Sequence, residues 1–169
     1  MTHIAAFDAA FAPVLDQRGV FDGVVARART PAPLDGAARD EIQRRLNGFW
    51  HDYAHFLTAL SRGQWWWANG QLAALRGMCA NLLRLVKEPT DPEVGDEPYW
   101  KVELTLSAEQ LARLAPTLNT LEPASMLAAG RVLAALYSQL GHELAGAHSL
   151  AYPAELERVV LRRLQASAV

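Results

Sequence analysis

The stretch Ile42 to Lys87, IQRRLNGFWHDYAHFLTALSRGQWWWANGQLAALRGMCANLLRLVK, decides the fold. Ile42, Leu46, Phe49, Tyr53, Phe56 and Leu60 recur at alternating steps of four and three, the spacing that gathers apolar side chains on one face of a helix. Asp35 is a plausible N-cap for that helix, and Gly63 ends it just after Ser61. A second helix is expected from about Gln64 to Lys87, with Trp65, Ala68, Leu72, Leu75, Cys79, Leu82 and Val86 as its apolar stripe. Pro89 forbids continuation. With only Arg62-Gly63 between them, the two helices should fold back as an antiparallel hairpin.

Outward from this hairpin the chain changes character. The segment EPTDPEVGDEPYW, residues 88–100, is rich in proline and acid and reads as a surface loop, followed by a short extended piece over Lys101 to Leu106. Ser107 with Gln110 three residues on fits a capping box opening another helix, which should end around Thr117–Leu121. Pro123 suits the first turn of the next, whose stripe is Leu127, Gly130, Ala134, Tyr137, Leu140 and Leu144. Tyr152-Pro153 introduces a last helix with Leu156, Val160 and Leu164 facing inward. The expected architecture is all-α, a five-helix antiparallel bundle over residues 35–169. Residues 1–34, with a turn at Asp16-Gln17-Arg18-Gly19 and a linker at Thr30-Pro31-Ala32-Pro33, read as an irregular N-terminal arm or the remnant of a preceding domain.

Composition agrees. The 169 residues include 30 Ala and 25 Leu but two Ile, a balance that favours helix over strand. A net charge of −2 argues against a broad nucleic-acid-binding face. No run of about 18 apolar residues could span a membrane, and the N-terminus lacks the pattern of a signal peptide, so a cytoplasmic protein is expected. A single cysteine excludes an internal disulfide framework.

Few residues could carry chemistry. His51 and His55, four apart, share a helix face and have the spacing to hold a divalent metal. A third ligand is needed and no dense cluster supplies one, so two solvated histidines, or one bonded to a loop carboxylate, is the favoured reading and no metal site is assigned. Arg44 and His51 are seven apart and nearly eclipsed. They resemble the Arg-x4–6-His motif of HEPN ribonuclease domains, which implies a catalytic Arg44/His51 pair acting on RNA, as a ribonuclease or as the toxin of a pair with a separate minimal nucleotidyltransferase; a nucleic-acid partner is expected only under that alternative. Trp65-Trp66-Trp67 point about 100° apart, so all three cannot enter one core. Those left outside must lie at a boundary, against the N-terminal arm, at a partner interface or along a ligand groove.

Phe49-Trp50-His51-Asp52-Tyr53, then Leu60-Ser61-Arg62-Gly63-Gln64-Trp65-Trp66-Trp67-Ala68, then Leu72 through Arg76 and Leu82-Leu83-Arg84-Leu85, form a pattern. With Tyr152-Pro153 near the end, it resembles the C-terminal helical domain of antibiotic nucleotidyltransferases of the aminoglycoside 6-adenylyltransferase (streptomycin adenylyltransferase) type. Val14-Leu15-Asp16-Gln17-Arg18-Gly19-Val20 is similar to the turn that follows that family's catalytic domain. The resemblance implies a helical domain that forms one wall of a substrate cleft. By position it carries ligand-binding roles to Trp50, Arg62, Trp66, Arg76 and Tyr152, and Asp52 and His55 complete the candidate set. The family's catalytic Gly-Ser turn and Asp-x-Asp pair are missing, so catalysis by this chain alone is not expected. ATP and magnesium would enter only with a catalytic domain supplied to it. The expected partner is a small-molecule ligand or that catalytic domain. A homodimer held by exposed tryptophans is the third reading.

Overall fold

A computed structural model describes residues 36–89, 94–95 and 97–167. The expected N-terminal arm, the Asp35 cap and the loop acids Asp91, Glu93 and Asp96 lie outside the described residues. Within them the chain is all-α: α1 Gly36–Ser61, α2 Trp65–Lys87, α3 Val102–Thr105, α4 Ala108–Leu114, a 3-10 turn Ala115–Thr117, α5 Pro123–His148 and α6 Ala154–Ala166.

The α1–α2 hairpin forms as its periodicity requires. Ile42, Leu46, Phe49, Tyr53, Phe56 and Leu60 are all buried, and Trp50 and Leu57 widen the stripe. The turn between the helices is a Schellman motif. Gly63, at φ 67°, takes the left-handed conformation that a side chain resists. Its N–H donates to Leu60 O at 3.1 Å, and the Gln64 N–H donates to Ala59 O at 3.0 Å. Ala68, Leu72, Leu75, Cys79 and Leu82 then line the inner face of α2.

Three expectations are corrected. Lys101 to Leu106 is not extended: it carries the one-turn helix α3. Lys101 enters that turn at φ 52°, and Thr105 Oγ1 donates back to Lys101 O at 3.2 Å, so a local bond satisfies the carbonyl that a strand would have left for a neighbour. Trp65 does not join the apolar stripe and is 39% exposed. It sits a turn before Ala68, and its ring covers Gly63 instead. In α6, Leu156 is exposed and Glu157 is buried in its place beside Val160 and Leu164. Val160 and Leu164 face inward as expected, so only the first position of the stripe shifts, to Glu157, whose carboxylate meets His142 Nε2 at 3.3 Å.

The remaining elements close the bundle. Ser107 and Gln110 make the capping box reciprocally, at 3.2 and 3.0 Å. Helix α5 packs on α2, and α6 on α1. Two glycines let α5 approach its neighbours closely. A Cβ on Gly130 would lie 2.7 Å from the Phe56 ring, and one on Gly141 would lie 2.7 Å from the Tyr152 ring. At the centre, Phe49 stacks on Tyr137 with centroids 3.7 Å apart, Trp50 meets the same Tyr137 edge-on, and Tyr137 Oη donates to Leu46 O at 2.7 Å. At the start of α1, the Gln43 amide binds both backbone groups of Ala151, donating to its carbonyl at 2.7 Å and accepting from its N–H at 2.9 Å. No helix among the described residues is long and apolar enough to cross a membrane.

Candidate functional site: the outer face of helix α2

At 100° per residue, Trp65 and Trp67 fall on the two flanks of α2 and Trp66 points out between them. Trp66 is 80% exposed, twice as much as either neighbour. Further along the same face Gly70, Ala73 and Ala74 are exposed, so the surface beyond the indole is low and small-sided. Two loops border it. Tyr99 Oη donates to Ala73 O at 3.1 Å, which fixes the segment carrying exposed Tyr99 and Trp100 against the helix. Burial beside the helix raises the Tyr99 hydroxyl pKa above its ordinary value, against the opposing pull of the Arg76 charge.

On the other flank, Arg76 holds the segment after the 3-10 turn. Its guanidinium donates to Thr117 Oγ1 at 3.0 Å, Thr117 O at 2.6 Å and Asn119 Oδ1 at 2.9 Å, and Asn119 Nδ2 donates to Asn69 Oδ1 at 2.9 Å. Leu118 is left 70% exposed next to this clamp. Arg76 is therefore a positioning residue for the border of the face, its donors engaged by protein rather than presented to a phosphate.

The sequence-derived candidates separate into distinct places. Trp50 and Tyr152 come together, but inside: Trp50 is fully buried and its Nε1 donates to Tyr152 Oη at 3.1 Å. Neither face of that indole is open to a ligand. Burial raises the Tyr152 pKa, opposed by the Trp50 hydrogen bond. His142 lies against the Tyr152 ring with centroids 3.8 Å apart and meets Glu157 behind it. No local sequence signal marks this Trp50–Tyr152–His142–Glu157 chain. Its members are drawn from α1, α5, α6 and the turn before α6, and no local spacing links residues 50 and 152.

Asp52 is half-buried, while His51, His55 and Arg62 are exposed. His51 and His55 turn toward each other, with Nε2 atoms 3.1 Å apart, and the Trp67 ring lies 6.1 Å from that of His55. Arg44 instead pairs with Glu41 at the rim of a cleft of about 250 Å³ lined by Glu41, Arg44, Arg45, Gly48, Met78 and Leu82. Arg44 and His51 are thus directed to different partners, about 10 Å apart along the helix axis.

Other chemistry has little support in the described residues. No group of three or more His, Cys, Asp or Glu side chains gathers as metal ligands there. Cys79 is buried, and that burial raises its thiol pKa well above the ordinary range, which suppresses the reactive thiolate. The most developed surface feature is the α2 face with Trp66 at its centre. Comparison of the chain with protein-family models, with curated proteins and with solved structures gives no match in any of the three.

Proposed function

We propose that this chain is a helical binding domain, not catalytic by itself, of the kind that forms the C-terminal half of an aminoglycoside-type nucleotidyltransferase. Its outer α2 face is the surface offered to a nucleotidyltransferase catalytic domain. The observation that carries this reading is Trp66, 80% exposed above a floor of Gly70, Ala73 and Ala74 and bordered by loops that Arg76 and Tyr99 hold in place. A projecting indole over small residues, with ordered borders, has the makings of an interface anchor, because tryptophan supplies most contact area at little conformational cost. In this reading five helices form an antiparallel bundle, with one-turn α3 as a connector. The protein works in the cytoplasm, and ATP and magnesium belong to the partner domain. His55, Arg62 and Asp52 lie on α1 and its turn, where they can meet substrate once the cleft is closed.

The test supplies a Gly-Ser/Asp-x-Asp catalytic domain of an aminoglycoside adenylyltransferase in trans and measures binding by calorimetry. Saturable binding that falls at least about tenfold in Trp66→Ala is expected. No binding to that domain, together with none to ATP-Mg or an aminoglycoside, would remove the reading. A dimer seen by light scattering and lost in Trp66→Ala would reassign the face to a second copy of the chain.

A further inference from the structure

His51 and His55 lie one helical turn apart on the exposed side of α1. Their rings are 4.7 Å apart and inclined at 78°, and the two Nε2 atoms converge to 3.1 Å. Two imidazole nitrogens at that separation repel unless something electron-poor lies between them. It is either one proton, shared as a hydrogen bond, or a metal ion. Nitrogens bound at about 2.0–2.1 Å to one metal stand roughly 2.9 Å apart at a right angle and roughly 3.4 Å apart at the tetrahedral angle. The observed separation falls between the two, so a cation can be chelated with little movement of either ring.

We propose that His51 and His55 are a surface chelate for a late first-row divalent cation, Ni2+, Cu2+ or Zn2+. Each ring supplies Nε2, and water completes the coordination shell. Imidazole favours these metals over magnesium or calcium, which prefer oxygen ligands. With only two protein ligands the site is open, unlike a structural zinc centre closed by four. Helix α1 supplies the preorganisation: a four-residue step on a rigid helix holds both rings over one point, without loop ordering on binding. The site shares His55 with the substrate contacts proposed above but uses neither Trp66 nor a catalytic domain, so a metal titration of this chain tests it separately.

Calorimetric titration of the full chain with Ni2+ tests the assignment. One Ni2+ per chain is expected, with affinity at least about tenfold lower in His51→Ala and in His55→Ala, since either leaves a single imidazole. Because both side chains are exposed, melting temperatures of the metal-free variants should match that of the parent, which separates lost chelation from lost folding. A parallel Zn2+ titration followed by imidazole NMR should move the His51 and His55 resonances together. The proposal is overturned if the parent binds no Ni2+ up to about millimolar concentration. It is overturned equally if the double variant His51→Ala/His55→Ala binds as tightly as the parent, which would place the ion on His3, His142 or His148. In the first case the 3.1 Å contact is a shared proton only.

Discussion

Two groups of aromatic residues lie close in sequence and meet opposite fates. Phe49, Trp50 and Tyr53 are fully buried against Tyr137, whereas Trp65, Trp66 and Trp67 all keep substantial exposure. Hydrophobicity does not separate them, since both groups contain tryptophan. Angular position and neighbours do. Phe49, Trp50 and Tyr53 span about one turn on the side of α1 that faces α5 and α6, where Gly130 and Gly141 make room. The triplet opens α2 directly after the turn, and three consecutive residues sweep about 200° of its circumference. Burial in the first group is enforced by packing. Exposure in the second follows from geometry, and Trp66 is the residue that geometry leaves outermost.

Alkaline pH should attack the interior group alone, and hardest. Burial raises the pKa of Tyr53 and Tyr137, and that of Cys79 among their neighbouring core residues. Each therefore stays protonated in the folded chain after the unfolded chain has lost its proton. The stabilisation is fully present below the unfolded pKa and is lost as pH rises from there toward the folded pKa. Cys79 contributes from about pH 9 and the tyrosines, Tyr152 among them, from about pH 10, so stability should fall by several kcal/mol between about pH 9 and 11. Denaturant melts across that range should show it. A stability that is flat to pH 11 would mean the phenols are reached by water.

Substitution gives the next contrast. Trp50→Ala should cost about 3–5 kcal/mol in chemical denaturation, combining a cavity with the lost partner of Tyr152 Oη. Gly130→Val should cost about 1–3 kcal/mol, because its Cβ would collide with the Phe56 ring. Tyr152→Phe removes the acceptor of the Trp50 indole N–H while keeping the ring against His142, and about 1–2 kcal/mol is expected. Trp66→Ala should stay within about 0.5 kcal/mol of the parent. A large loss there would show that the indole is structural after all, and the division between the two groups would collapse.

The sequence made the long helices legible because their signals are local. The 4-3-4-3-4 spacing from Ile42 to Leu60, the Gly63 stop, the Pro89 stop, the Ser107–Gln110 box and Pro123 each act within a turn or two. Signals that depend on distant residues were not legible. Trp50 and Tyr152 are 102 positions apart, and nothing near either one announces their hydrogen bond. Val160 and Leu164 follow the apolar count of α6, but the buried Glu157 meets His142 on another helix, a contact no local count carries. Of the candidate site, the exposure of part of the Trp triplet was readable from helical angle. The engagement of Arg76 by Thr117 and Asn119 was not, because an arginine on a helix reads the same whether it is solvated or clamped.

The Gln43–Ala151 pairing bears on the order in which the chain assembles. Its two hydrogen bonds join residues 108 positions apart. During synthesis the α1–α2 hairpin can close as soon as residue 87 has emerged, since all its contacts are local, but the start of α1 cannot be tied down until residue 151 exists. The helix that covers α1 ends only at Ala166, so for the 79 residues after Lys87, several seconds at ordinary ribosome speeds of about 5–20 residues per second, the hairpin presents to the cell apolar surface that α5 and α6 later cover. Its exposure to chaperones and to misassembly is set by that interval.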